Sequence, residues 1–283
     1  MSDEITVVKC GGGLSAHRET ICQDLVAVAA EGPVVLVHGG AAQLDELAAQ
    51  LGVPQRRLRT PGGSSSRYTD PATLDVLLMT MAGRVKPALV ASLSRHGARP
   101  MGLTGMDAGL VTARRAGAHK AVVDGRTRMI RDDHSGRIHA VDPGPLHLLL
   151  DAGLLPVLSP PALGTEGEPV NVDADRIAAA VAGALAERRP VRLVLLTSAP
   201  GVLRDPEDPG SLLPRLTVSA GSLGEADARG GMTAKLQAAR AALDSGVSQV
   251  VVADGRITHP VREALAGAGT RIEKAAPFES GNV

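Results

Sequence analysis

Apolar and polar positions alternate along this chain in two textures. Short runs of Val, Ile and Leu, bounded by Gly, Pro or charged residues, are separated by longer stretches rich in Ala and Leu. The first run, ITVVKC (5–10), predicts a buried strand, and the spacing in ETICQDLVAVAAE predicts a helix after it. PVVLVHGG (33–40) predicts a second strand ending in glycines, followed by a helix in AAQLDELAAQLG. The stretch TLDVLLMTMAGRVKPALVASLSRHG predicts one or two helices, with an interruption expected at Pro87. LLPVLSPP (154–161) reads as a strand and DADRIAAAVAGALAERR (173–189) as a helix opened by an aspartate cap. VRLVLLTSAPGVL (191–203), GMTAKLQAARAALDSG and SQVVVADGR (248–256) continue the alternation.

Strand, crossover helix and strand, repeated this often, predict an α/β fold with a mainly parallel sheet covered on both faces. Ligands in such folds bind at the carboxyl ends of strands, where the glycines of this chain fall. Its 283 residues suit one large unit or two joined lobes. AERRPV marks the expected boundary, giving an N-terminal lobe over 1–188 and a C-terminal lobe over 189–283. The interval 112–140 differs: Asp124-Gly125 is a hairpin signal between two β-like arms.

Composition narrows the function classes. Apolar residues make up 44%, enough for a substantial core, and no uninterrupted apolar run reaches the roughly 18 residues of a membrane span. The acidic start MSDEITVVKC enters a strand directly, so no signal peptide is expected. Cys10 and Cys22 have neither metal nor redox spacing, which fits a reduced, cytoplasmic setting. Aromatics are limited to Tyr68 and Phe278, so stacking platforms for nucleic acid are missing. Lysine plus arginine equals aspartate plus glutamate, 30 each, so whole-chain charge singles out no partner.

Five groups of residues carry candidate chemistry. Lys9 with Gly11, Gly12 and Gly13 offers a compact positive charge beside backbone N–H groups that an anion can approach closely. A tight turn with an incidental lysine explains the same residues equally well. The pattern is neither GxGxxG nor GxxxxGKS/T. Gly39 and Gly40 end the next strand and could grip the other side of one anion, with His38 packed or hydrogen-bonded beside them. Arg67, in PGGSSSRYTD, is either solvated or a bidentate carboxylate clamp. Capping explains one of Asn171, Asp173 and Asp175; the others could orient a lysine or hold Mg²⁺ through phosphates and water. Lys235 follows Gly230 and Gly231 near a helix start, where a docked anion would offset its conflict with the helix dipole.

In this order, VVKCGGG, VHGG, SRYTD, NVDAD, GGMTAK and VVVADGR resemble the amino acid kinase family, which includes acetylglutamate kinase. The resemblance covers nearly the whole chain and implies an open αβα sandwich, with the acceptor in the N-terminal lobe and ATP in the C-terminal lobe. It implies transfer of the γ-phosphoryl group of ATP to a carboxylate, with Mg²⁺ accompanying the nucleotide and no direct protein metal site. Lys9 and Lys235 match the lysines that stabilise the moving phosphoryl group, and Asp175 the aspartate that positions them. Gly11, Gly12, Gly39 and Gly40 match the backbone donors. Arg67 and Asn171 match residues that hold the acceptor's α-carboxylate and substituted nitrogen. A carboxylate is already a competent nucleophile, so no general base is required.

PGGSSSRYTD, GLTGMD, SPPAL and ADGRITHPVREALAGAGT resemble most the kinases of carrier-mediated lysine biosynthesis. Those enzymes phosphorylate α-aminoadipate or glutamate linked through its amino group to a small acidic carrier protein. Asp173 suits that type, whereas Cys10 departs from the small or apolar residue common there. Between 114 and 139, Arg114, Arg115, Lys120, Arg126, Arg128, Arg131 and Arg137 outnumber Asp124, Asp132 and Asp133, and QRRLR (55–59) adds three arginines. This concentration of charge suits docking of an acidic carrier, against the plainer reading of a solvated hairpin. The alternatives are an N-acetyl-L-glutamate kinase of arginine biosynthesis and, from another class, a non-catalytic nucleotide or amino-acid sensor. A homodimer is expected, with neither nucleic acid nor membrane as partner.

Overall fold

The computed structural model describes residues 3–59, 65–123, 125–219, 222 and 230–275. The strands are β1 (Ile5–Cys10), β2 (Val34–His38), β3 (Arg57–Arg59), β4 (Ser65–Arg67), β5 (Pro100–Gly105), β6 (Val111–Arg115), β7 (His119–Val123), β8 (Arg126–Ile130), β9 (Gly136–Val141), β10 (Leu155–Gly164), β11 (Pro169–Val170), β12 (Val191–Thr197), β13 (Arg215–Val218), β14 (Gln249–Asp254) and β15 (Thr270–Lys274). The helices are α1 (Arg18–Ala29), α2 (Ala41–Gln50), α3 (Pro71–Leu78), α4 (Lys86–Arg95), α5 (Gly144–Asp151), α6 (Ala174–Ala186), α7 (Gly231–Asp244) and α8 (Pro260–Leu265).

The main sheet runs β13-β15-β14-β12-β1-β2-β10-β6-β9, with β5 and β11 also paired to β10. From β14 to β6 every pairing on this path is parallel; β14 with β15, β6 with β9 and β10 with β11 are antiparallel. The predicted mainly parallel sheet is therefore present. β1 lies at its centre and is buried at all six positions because helices cover both faces. Successive residues enter different cores, as the two-residue period of a strand requires. Val7, Val35 and Leu193 pack towards α6 and α7 with Ile177 and Leu236. Val8, Leu36 and Val194 pack towards α1, α4 and α8 with Ile21, Leu89 and Val261.

The 112–140 interval forms two nested pairings. β6 and β9 close the edge of the main sheet, while β7 and β8 join β3 and β4 in a separate antiparallel sheet, β4-β3-β7-β8. The expected hairpin has Val123 opposite Arg126; Asp124 itself lies outside the described residues.

The interruption expected at Pro87 comes earlier. Asp70 caps α3 by accepting from the Thr73 N–H at 2.9 Å, with Pro71 in the first turn. The chain then widens into a π-helical segment, Met79–Val85, before α4. Pro87 falls in the first turn of α4, where a missing N–H costs little, so the wide turn rather than the proline marks the change. Together these segments make a 25-residue helix, Pro71–Arg95, that is apolar and long enough to cross a membrane by length and composition alone. Its buried residues, Val76, Leu77, Met81, Leu89 and Leu93 among them, join cores with α1 and α2.

Candidate active site

Four helix starts converge on the carboxyl edge of the central strands. A 3-10 turn, Gly12–His17, leads from β1 into α1, and α2 opens directly behind β2 at Gly40. The Asp173 carboxylate accepts from the N–H of Asp175 at 2.9 Å and of Arg176 at 3.2 Å, so the predicted cap of α6 is made. Starting α6 there turns Asp175 inward in the first turn, where it is 4% exposed. α7 begins after Gly230, whose φ of +55° and ψ of −121° suit glycine alone. Lys235 lies one turn further on.

These starts bring the three predicted catalytic residues together. Lys9 Nζ lies 2.9 Å from Asp175 Oδ1, and Lys235 Nζ donates to Asp175 Oδ2 at 2.9 Å. One carboxylate thus separates two ammonium groups, leaving one net positive charge on the triad. Burial alone would raise the Asp175 pKa, but the two lysines outweigh it and hold the carboxyl below its ordinary value. Burial alone would lower Lys9, yet the attraction of Asp175 dominates and raises it. Lys235 is lowered, by burial first and then by repulsion from Lys9.

The glycines complete the floor. A Cβ on Gly12 would lie 2.8 Å from the Ala41 nitrogen and 3.0 Å from the Gly40 carbonyl carbon, so the two glycine loops interlock only because Gly12 has no side chain. A Cβ on Gly11 would be 3.5 Å from Lys9 Nζ, and one on Gly39 would be 3.6 Å from Ala174 Cβ in the first turn of α6. Two side chains hold the loop carbonyls. Gln43 Nε2 donates to Gly12 O at 3.2 Å, and His38 Nδ1 donates to Gly39 O at 3.1 Å. Burial pushes the His38 pKa down to about 4, so its ring is neutral.

The two predicted acceptor-binding residues meet through a third. Asn171 Nδ2 donates to Thr69 Oγ1 at 2.9 Å, and that hydroxyl donates to Arg67 O at 3.5 Å. The Arg67 guanidinium pairs with Asp45 at 2.6 Å and also bonds Gln55. Buried Asp133 fixes this corner by accepting from the N–H groups of Thr69 and Ser135, each at 3.1 Å. Thr69, Asp133 and Gln43 were not singled out by the sequence. Asp133, two residues before a serine in a loop, carries an Asx-turn signal; Gln43 carries none.

The basic residues divide into two sets. Arg114, Arg115, Lys120 and Arg137 line one open groove, joined by Arg176 of α6. Arg115 also ties the loop together, donating to Asp133 O at 2.8 Å and Arg131 O at 3.3 Å. Arg126 and Arg128 are exposed on β8, outside that groove's lining. Among the described residues no group of three or more His, Cys, Asp or Glu side chains could hold a metal ion.

Comparison with known proteins agrees with this geometry. The family model described as the amino acid kinase family matches residues 4–254. A LysW-aminoadipate kinase from Thermus thermophilus is 40% identical over 269 residues, 94% of this chain and 99% of that protein. An acetylglutamate kinase from Symbiobacterium thermophilum is 35% identical, over 96% of this chain and 92% of its own length. Among solved structures, an N-acetylglutamate synthase from Neisseria gonorrhoeae is similar, with a TM-score of 0.76 and 27% identity over 98% of this chain. The chain spans only 61% of that synthase.

Proposed function

The chain belongs to the amino acid kinase family, and from that premise we propose that it transfers the terminal phosphoryl group of ATP to the side-chain carboxylate of a carrier-linked amino acid, α-aminoadipate or glutamate. The observation that carries the phosphotransferase reading is the Asp175 carboxylate held between Lys9 and Lys235. A pure nucleotide binder gains nothing from two buried ammonium groups kept apart by one carboxylate. A phosphoryl group moving between two oxygens spreads negative charge, which such a pair neutralises.

The roles follow from position. Lys9 reaches the site from the 1–188 lobe, which takes the acceptor, and Lys235 from the 189–283 lobe, which takes ATP. The N–H groups of Gly11, Gly12 and Gly40 face the transferred group and the acceptor carboxylate; the expected Gly39 donor is instead committed to Cys10 O at 3.0 Å, while Gln43 and His38 hold loop carbonyls. Arg67 exchanges Asp45 and Gln55 for the acceptor's α-carboxylate, and Asn171 holds the substituted nitrogen. The donor set, ammonium and backbone N–H, fits polyphosphate. Asp175, engaged by both lysines, has no oxygen free of a cation, so Mg²⁺ arrives bound to the nucleotide phosphates, where it screens their charge.

The carrier-linked acceptor is supported by the LysW-aminoadipate kinase relatives and by the groove of Arg114, Arg115, Lys120, Arg137 and Arg176. An acidic carrier docks there and on the outer face of β8, and two copies of the chain form the working dimer. Acyl phosphate formation, trapped as a hydroxamate, tests this with carrier-linked aminoadipate, carrier-linked glutamate and free N-acetylglutamate. Turnover of a carrier adduct at least tenfold above free N-acetylglutamate is expected. The reverse order would make the chain an acetylglutamate kinase, as other relatives are named.

A further inference from the structure

Arg67 and Asn171 lie far apart in the chain, yet the two groups they take are bonded to one atom, the acceptor's α-carbon. Their spacing must therefore be held fixed. Thr69 stands between them. Its hydroxyl accepts from Asn171 Nδ2 at 2.9 Å and donates to Arg67 O at 3.5 Å. Thr69 is fully buried, and each of its polar groups is engaged. Its N–H donates to Asp133 Oδ1 at 3.1 Å, and its carbonyl accepts from the His134 N–H at 2.7 Å.

The same loop fixes Asn171. Its N–H donates to His134 O at 2.8 Å, and its carbonyl accepts from the Gly136 N–H at 3.0 Å. Buried Asp133 anchors that loop, accepting from the Ser135 N–H at 3.1 Å and the Ser135 hydroxyl at 2.5 Å. With both backbones pinned, the freedom left to Asn171 is which way its amide faces. The Thr69 hydroxyl has one proton, and Arg67 O takes it, so towards Asn171 it only accepts. The amide NH₂ is thereby drawn to Thr69, and Oδ1 accepts from nothing among the described residues. A group that meets this oxygen must carry a hydrogen. With the amide turned over, its NH₂ would oppose the acceptor's N–H, and both donors would go unmatched.

We propose that Thr69 is a positioning residue and, through Asn171, sets specificity: it turns the amide so that Oδ1 faces the acceptor and selects an α-nitrogen that bears a hydrogen, as in a secondary amide. The inference rests on the role proposed for Asn171 at this site. It holds for carrier-linked and acetylated acceptors alike, since both present the same N–H.

The test compares acceptors that differ only at that atom, with ADP release as the readout. Carrier-linked α-aminoadipate is set against its ester analogue, in which oxygen replaces the α-nitrogen, and N-acetyl-L-glutamate against 2-acetoxyglutarate. For the pair that the wild-type chain uses, kcat/KM should favour the amide at least about tenfold. Thr69→Val keeps the shape and removes the hydroxyl; it should bring the ratio down to about threefold or less, with KM for ATP unchanged. Thr69→Ser, which keeps the hydroxyl, should retain the preference. Each ratio is internal to one variant, so a loss of stability does not alter it. No preference in the wild type, an unchanged ratio in Thr69→Val, or an equal fall in Thr69→Ser would each overturn the inference and leave the phosphotransferase reading standing. If no amide is phosphorylated, that reading fails instead, and calorimetric titration of the same pairs reads the preference. Amide and ester bound equally, or neither bound, would then overturn the inference as well.

Discussion

Lys9 and Lys235 are bound to opposite oxygens of one carboxylate, each at 2.9 Å, although one comes from the central strand and the other from a helix more than 200 residues later. Their mutual repulsion is tolerated because Asp175 lies between them. Asp175→Asn keeps the shape and removes the charge. It should lower kcat by at least about a hundredfold and lower stability by about 3 kcal/mol, the scale for breaking a buried pair. Steady-state kinetics and thermal melts check both effects. Near-normal kcat in the variant would mean that Asp175 does not organise the lysines.

Removing either lysine separates binding from chemistry. Lys9→Ala and Lys235→Ala should each cut kcat far more than they weaken ATP, because the charge they neutralise develops during transfer. Calorimetric ATP titration beside single-turnover rates makes the comparison. Equal losses in both would place the lysines in nucleotide binding rather than in the transfer step.

Most of the site was legible because it is local in sequence. Lys9, Gly39 and Asp175 each follow a β-branched run or open a helix, and strand ends in a parallel sheet share one edge. The separate β4-β3-β7-β8 sheet was not legible. β3 and β4 are three residues each, too short to show a period; they pair with each other locally, but β3 joins β7 through a pairing more than 50 residues apart in sequence. The π-helical turn before Lys86 was hidden for a related reason. MTMAGRV has ordinary helical spacing, and packing of Met81 against Gly40 accompanies the wider turn. Gln43 and Thr69 were missed because amide and hydroxyl side chains gain meaning only from what they touch.

Charge on the 112–140 region offers a third test. Arg126 and Arg128 are exposed, so reversing both to glutamate should leave the fold intact. KM for a carrier adduct should rise severalfold, its dependence on ionic strength should weaken, and kcat at saturation should hold. The same reversal at Arg114 and Arg137, which line the groove, should have the larger effect. Unchanged KM at low salt in both variants would move the docking face elsewhere.

Lys86 makes the last prediction, and its sign is unusual. It is 6% exposed and packs its stem against Gly102, with no hydrogen bond or ion pair among the described residues. Burial lowers its pKa from 10.5 to about 8, with Asp107 only partly opposing. Near pH 7 the folded chain therefore holds a desolvated charge that the unfolded chain keeps in water. Lys86→Met conserves volume and removes the charge, so it should stabilise the protein at pH 7 by about 1 kcal/mol or more. Between about 8 and 10.5 the unfolded chain binds more protons than the folded one, so wild-type stability gains from this group as pH rises. The advantage of the methionine variant should shrink over that range. Urea melts of both proteins at pH 7 and pH 9.5 read the difference directly. A variant that is less stable at pH 7, with a gap independent of pH, would show that the Lys86 charge is matched in the folded chain.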